Sequence, residues 1–231
     1  MKIRKGKLIV VDGIDGSGKA TQIKLLAKRL KKEGYRVKTI DFPRYYTNFF
    51  GRFIGEYLSG QYGDFIKVAP KLASVLYAAD RFESSRAMKE WLNDGYVVLA
   101  DRYVSANQIH QGGKIRRVKD REKFLTWLDT MEHKVFDIPR PDLVIFLDVP
   151  YEVSKLWLKK KVSQRKKKYL KGRKDVAEDN LLHLKISRDT ALDLQKKNKN
   201  WKKISCCEGM VCQEPQEIHE EVFNLVKRKL K

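Results

Sequence analysis

A chain of 231 residues, 42% of them hydrophobic, can bury one sizeable core, since single domains extend to roughly 250 residues. Its 50 lysines and arginines outnumber 29 acidic residues, and the formal charge of +21 points to polyanionic partners: nucleic acid, an anionic membrane or phosphorylated small molecules. No apolar run approaches the ~20 residues of a spanning helix, which argues against a helical membrane protein; the odd, clustered Cys206, Cys207 and Cys212 argue for reduced thiols in a cytoplasm-like compartment.

The N-terminal "MKIRKGKLIVVDG" has a basic start, but its short apolar run leads straight into a Gly-rich loop without a cleavage-type segment. This reads as a strand over 7–11, not a secretory signal. A helical pattern follows over 19–34, with Gly34 after a charged last turn as its stop. Then come a strand over 36–42, a helix over 68–95 closed by Gly95, and a strand over 96–101. Helical spacing returns over 121–136, a strand over 142–149, a helix over 150–162 and a last strand over 201–206. Within the basic run 159–174 and just past it, the segment 160–176 lacks an apolar stripe in its second half and is expected to form a loop between helices. The strands at 7–11, 96–101 and 142–149 are apolar nearly throughout, as strands covered on both faces are. The alternation predicts an α/β, doubly wound, five-stranded parallel sheet flanked by helices, as a single domain over 1–231. A zinc site built on Cys206, Cys212 and His219 would be one ligand short, with irregular spacing.

"GIDGSGK", Gly13 to Lys19, follows a buried strand and precedes an amphipathic helix, the context in which a phosphate-loop match acquires meaning. Glycines let the backbone curl and approach phosphate closely, and successive N–H groups at the helix start then face the anion. Lys19 adds a point charge on the transferring phosphate. Gly13, Ile14, Asp15, Gly16, Ser17, Gly18, Lys19, Ala20 and Thr21 are thus the expected ATP-binding segment. Ala20 stands where a Ser or Thr hydroxyl usually holds Mg²⁺. Thr21 cannot replace it, because successive helical residues point about 100° apart. The ion is therefore expected on phosphate oxygens, water and carboxylates, with Asp101, Asp15 and Glu178 as candidates.

Three more stretches stand at strand ends or on one helix face: "DFPRYY" (Asp41 to Tyr46), "LYAADRF" with Tyr77 and Arg81 four residues apart, and "DRYVSANQIHQGGK" (Asp101 to Lys114). An aromatic beside a guanidinium suits stacking on a base and gripping its phosphate or carbonyl. With "PDLVIFLDVP" (Pro141 to Pro150) and Asp175-x-x-Glu178, these stretches resemble the thymidylate kinase family, P-loop enzymes that phosphorylate dTMP with ATP and Mg²⁺. The resemblance spans almost the whole chain.

That resemblance implies a P-loop NTPase fold with a basic lid over roughly 160–178, and a homodimer. It implies Asp15 near the sugar and metal, Phe42 lining the pocket, and Arg44 and Tyr45 reaching the acceptor phosphate. Tyr77 takes the place of the aromatic stacked on thymine, and Arg81 that of the arginine beside base and phosphate. Arg102 matches the arginine bridging both phosphates, and Asn107 and Gln111 fall where base- or sugar-reading groups stand. The chain departs from the family at Ala20, Ala106, His110 and Ala191.

The nucleophile expected here is a phosphate oxygen of the acceptor, largely dianionic at neutral pH because the second pKa of a phosphomonoester is ~6. No general base is needed. Two anionic phosphates must meet in line, and Lys19, Arg102, Arg44 and Mg²⁺ supply the opposing charge. Some family members carry a further arginine in the loop, where this chain has Gly16; others supply it from the lid, which here offers Arg165 and Arg173, the latter slightly favoured. Two other readings stay open at this point: a P-loop kinase for another pyrimidine nucleotide or nucleoside, and a nucleic-acid-binding protein with a vestigial nucleotide site. The second has no account of "FPRY" and "AADR". An Arg165→Ala/Arg173→Ala double variant is expected to lose roughly 10³-fold in turnover in a steady-state assay, and near-full turnover would remove both arginines from the mechanism.

Overall fold

In a computed structural model the chain is described over residues 5–63, 67–162 and 181–231. Arg165, Arg173 and Glu178, with most of the expected basic lid, lie outside the described residues. The central sheet joins β1 (Lys7–Asp12), β2 (Val37–Asp41), β3 (Val97–Asp101), β4 (Leu143–Asp148) and β5 (Trp201–Ser205). All pairings are parallel, in the order β2-β3-β1-β4-β5. The five expected strands are present, each within about a residue of its anticipated bounds.

Alternate residues of the sheet build two apolar layers. Leu8, Val10, Val98, Ala100, Val144 and Phe146 pack on one face against α3 (Pro70–Asn93), α4 (Val104–Gly113), α5 (Val118–Thr130) and α7 (Leu181–Lys197). Ile9, Val11, Leu99, Ile145 and Leu147 pack on the other against α1 (Lys19–Lys32) and α8 (Pro215–Leu230). Helix α1 buries Ile23, Leu26, Ala27 and Leu30, spaced as one helical stripe. The remaining helices are α2 (Phe49–Leu58) and α6 (Tyr151–Val162).

Four helices lie where the periodicity reading placed none: α2, α4, α7 and α8. Helix α8 opens on a capping box between Glu214 and Glu217 with Pro215 in its first turn, which satisfies the exposed N–H groups there. It buries Ile218, Val222, Phe223 and Val226, each burial contributing about 1.5–3 kcal/mol. The helix expected over 121–136 instead runs as α5 and then widens into a π turn at Met131–Val135.

The thiol expectation needs correction. Cys207 and Cys212 face each other across an antiparallel hairpin, β6 (Cys207–Glu208) and β7 (Val211–Cys212), and are joined in a disulfide. The hairpin makes them direct cross-strand neighbours, which a count of cysteines does not reveal. Cys206 stays free and buried, its thiol pushed up to about 12 by burial and by Asp148.

Candidate active site

Strand β1 delivers Asp12 to the carboxyl edge of the sheet, and the loop over 13–18 turns from it into α1. Asp12 is fully buried; it accepts from the N–H of Gly13 at 2.8 Å and from Ser105 Oγ at 2.5 Å. Burial raises its pKa against those bonds and the nearby Arg102 and Lys19. Gly16 adopts φ +81°, and a Cβ there would stand 2.8 Å from the Ser154 carbonyl and 2.9 Å from Leu158 Cγ. No side chain fits. Helix α6 also ties down the loop through a Ser154 Oγ hydrogen bond to the Asp15 carbonyl. Lys19 Nζ donates to the carbonyls of Gly13 and Ile14, each at 2.9 Å, so it lies curled against the loop. Desolvation, then Arg102, lower its pKa, while Asp15, Asp101 and Asp12 oppose them. Ala20 and Thr21 are exposed on the first turn of α1.

Just past β3, Arg102 takes a left-handed backbone conformation at φ +62°, pinned by its N–H to the Val11 carbonyl at 3.1 Å. Its guanidinium pairs with the Asp15 carboxylate. Burial alone would lower its pKa, but Asp15, Asp101 and Asp12 hold it well above the ordinary value. Asp101 has a buried Oδ1 without a hydrogen-bond partner among the described residues. Lys19, Asp15, Asp101 and Arg102 are thus brought together at one edge.

The wall on which the resemblance expects the acceptor rises from the loop after β2. Phe42 is buried, its ring 5.7 Å from that of Tyr103, and it leads into Pro43 through a cis peptide bond. Arg44 donates through Nε to Thr47 Oγ1 at 2.9 Å. The loop is clamped onto α3 by Asp80, which accepts from the Arg44 N–H at 3.1 Å and from Asn48 Nδ2 at 2.9 Å. Tyr45 and Tyr77 pack on one small cluster with Ile54, Tyr57 and Leu58 of α2, and the Phe42 N–H donates to the Asp101 carbonyl at 3.0 Å. The two halves of the site therefore meet.

Arg81 is only 2% exposed. Its partner is neither of its sequence neighbours Asp80 and Glu83 but Glu132, on the π turn: Nε donates to Oε2 at 2.7 Å and Nη2 to Oε1 at 2.5 Å. Asn107, on α4, donates to the same carboxylate and to the Ser74 carbonyl, each at 3.2 Å. One turn further along α4, Gln111 is buried with an unpartnered Oε1. On the flank, His110 Nδ1 lies 3.0 Å from Ser187 Oγ and its ring stacks near His183 at 5.4 Å. Burial, then the neighbouring imidazole, keep His110 neutral well below its ordinary pKa. Ala106 is partly exposed beside them, and Ala191 is buried in the core. Asp12, Asn48, Asp80 and Glu132 were not anticipated: their partners lie on other elements, and only for Asp80 did a local "AADR" hint exist.

A glycine-bearing loop between the first strand and helix, a basic residue at the helix start, and a 2-3-1-4-5 parallel sheet define a P-loop kinase of the nucleoside monophosphate type. The thymidylate kinase family profile matches residues 11–217. A probable thymidylate kinase of Pyrococcus abyssi is 32% identical over 228 residues, covering 98% of both chains. The human thymidylate kinase is 32% identical over 149 residues, 64% of each chain. The fold is also that of a Candida albicans thymidylate kinase structure, with a TM-score of 0.72 at 21% identity over 98% of this chain and 94% of that one. The chain belongs to the thymidylate kinase family, and with that comes its enzyme class, an ATP-dependent nucleoside monophosphate kinase.

At Gly51 on α2, a Cβ would stand 2.2 Å from the Arg44 carbonyl oxygen and 2.9 Å from Asp80 Oδ1. Backbone must move to admit it. Gly51→Ala is expected to cost about 1–3 kcal/mol in urea unfolding and to weaken acceptor binding by calorimetry, while ATP binding changes little.

Proposed function

We propose that the protein transfers the γ-phosphate of ATP to dTMP, giving dTDP and ADP. What carries this reading is the juxtaposition of Lys19 and Arg102 on the phosphate-loop side with a wall of Tyr77, Arg81, Asn107 and Gln111. ATP lies along residues 13–21, with Lys19 leaving the Gly13 and Ile14 carbonyls for its phosphates. Asp15 stands near sugar and metal, and Phe42 closes the pocket floor. Arg44 and Tyr45 take the acceptor phosphate, Tyr77 stacks on the base, and Arg102 bridges the two phosphates. Arg165 and Arg173, outside the described residues, supply further charge to the transferring group.

The donor set suits Mg²⁺, which is commonly held through one or two carboxylates with phosphate oxygens and water completing its shell. Among the described residues no three His, Cys, Asp or Glu side chains gather into a ready-made cluster. Asp101, with its unpartnered buried oxygen, and Asp15 would hold the ion, with Glu178 as a further candidate. When bound, it would neutralise charge on the phosphoryl group. The absent hydroxyl at Ala20 then weakens metal binding without removing phosphoryl transfer. A cytoplasmic location goes with the use of ATP; no described helix is long and apolar enough to cross a membrane.

A homodimer is part of the proposal. Leu72, Val75 and Phe82 of α3 are all substantially exposed, at 70%, 42% and 52%, and follow helical spacing along one face. Phe49 and Phe53 extend the apolar surface on α2. A second copy of the chain is the occupant that such a two-helix stripe favours, because a self-complementary helix face buries itself about a two-fold axis.

In a coupled ADP-release assay across nucleoside monophosphates, dTMP is expected to be the preferred acceptor, with Lys19→Met lowering kcat by on the order of 10²–10³. No ADP with any monophosphate would overturn the reading. Sedimentation is expected to give a dimer that Leu72→Glu/Phe82→Glu converts to monomer; a wild-type monomer at micromolar concentration removes the dimer.

A further inference from the structure

The fully buried ion pair between Arg81 and Glu132 is the largest charge commitment on the acceptor side, and no motif accounts for Glu132. It sits in the π turn Met131–Val135, where the N–H of Phe136 reaches back to the Met131 carbonyl at 2.9 Å and that of Ile138 to Glu132 at 2.9 Å. This widened turn carries the carboxylate into the space between α3 and α4. π turns recur at functional positions.

The carboxylate collects two groups from two helices. Arg81 meets it side-on through Nε and Nη2, and gives Nη1 to the Tyr103 carbonyl at 3.3 Å. A guanidinium has five N–H donors in a rigid plane. Three are committed, and one remains on each terminal nitrogen. Asn107 donates Nδ2 to Glu132 and to the Ser74 carbonyl, which leaves its Oδ1 as the acceptor to present. Ser74 Oγ and Gln111 Oε1 are buried close by in the same helices, without partners among the described residues. Buried polar atoms are rarely left so in a finished structure. A ligand with both donors and acceptors would satisfy them. The imide edge of a thymine-type base offers a carbonyl, an N–H and a second carbonyl in a row, which matches guanidinium donors beside amide acceptors.

We infer that Glu132 is a positioning residue for the acceptor base: it locks Arg81 and Asn107 into the orientation that reads the pyrimidine, and touches no substrate itself. This rests on the dTMP reading above. The bidentate geometry removes the rotational freedom of a long side chain before the nucleotide arrives, so less is lost on binding. A misplacement of about 1 Å in such a group can cost 10²-fold.

The test compares wild type with Glu132→Gln and Glu132→Asp in steady-state kinetics on dTMP, dUMP and dCMP, with thermal melting alongside. Glu132→Gln is expected to raise KM for dTMP roughly 10- to 100-fold, leave KM for ATP within twofold, and narrow the preference among the three bases. Glu132→Asp, which keeps the charge, is expected to recover part of the loss. A variant with unchanged KM for dTMP, or one losing kcat equally on all acceptors, shows a purely structural residue and overturns the inference. If both variants fail to fold, a crystal structure of the wild-type enzyme with dTMP decides: Arg81 is expected to keep both bonds to Glu132 while donating to the nucleotide. An Arg81 that leaves Glu132 on binding, or never touches dTMP, also overturns it. Wild type inactive on every pyrimidine monophosphate sinks the functional reading instead, a separate outcome.

Discussion

Arg102 donates to Asp15 across the gap between the end of β3 and the phosphate loop, and the electrostatics of the whole edge hang on that pair. A cation placed there without carboxylates would repel Lys19 and lose its own hydration. Asp12, Asp15 and Asp101 offset both effects, holding Arg102 firmly charged. Dipoles and charges fixed before the reaction need no rearrangement when charge develops on a phosphoryl group. The left-handed backbone at Arg102 belongs to the same device. A residue in that region costs on the order of 1–3 kcal/mol, offset here by the Val11 contact and the carboxylates. The parallel sheet makes it possible, because β3, β1 and β4 lie side by side and end at one edge.

The acceptor half uses the same principle at greater depth. Arg81 and Glu132 are both withdrawn from water, where the attraction of two charges rarely exceeds what their desolvation costs. Such a pair is weak evidence for stability, yet deleting one partner costs about 3–5 kcal/mol. Its value lies in orientation. The outer pair, Arg102 and Asp15, stays partly open to solvent, which leaves Arg102 free to exchange partners in the role proposed for it on the phosphates. The inner pair cannot, which suits a surface that must distinguish one base edge from another.

These differences explain what was legible in the sequence. Three of the five strands were readable because burial on both faces leaves few polar residues in 7–11, 96–101 and 142–149; β2 and β5, at the sheet edges, mix buried and exposed positions. The phosphate loop was readable because its backbone path demands glycine. Helix α2 escaped notice because Gly51 and Gly55 interrupt its apolar pattern, although Gly51 is there for the close approach of Arg44. Helix α8 carried a legible start in Glu214, Pro215 and Glu217 that was not used. The role of Glu132 was hidden for a different reason. Its hydrophobic surroundings read as one continuous helix over 121–136, and nothing in a 3.6-residue period marks a π turn. Its partner, 51 residues away in sequence, is a fact of topology, as is the hairpin that joins Cys207 to Cys212.

Gly16 links the two halves through a third element. In the family resemblance, some chains place an arginine at this point in the loop; here the position has φ +81°, and a Cβ on it would meet the Ser154 carbonyl and Leu158 within 3 Å. A guanidinium cannot start from that backbone without displacing α6. The same helix fastens the loop through Ser154 and Asp15, so the contact that makes the loop rigid is also the one that bars it from carrying its own arginine. Helix α6 then runs from that contact to Val162, and Arg165 and Arg173, the proposed sources of the missing positive charge, follow it in sequence. Rigidity of the phosphate cradle and the exclusion of an arginine from it are, in this chain, two consequences of one packing choice, and the proposed lid arginines answer the second.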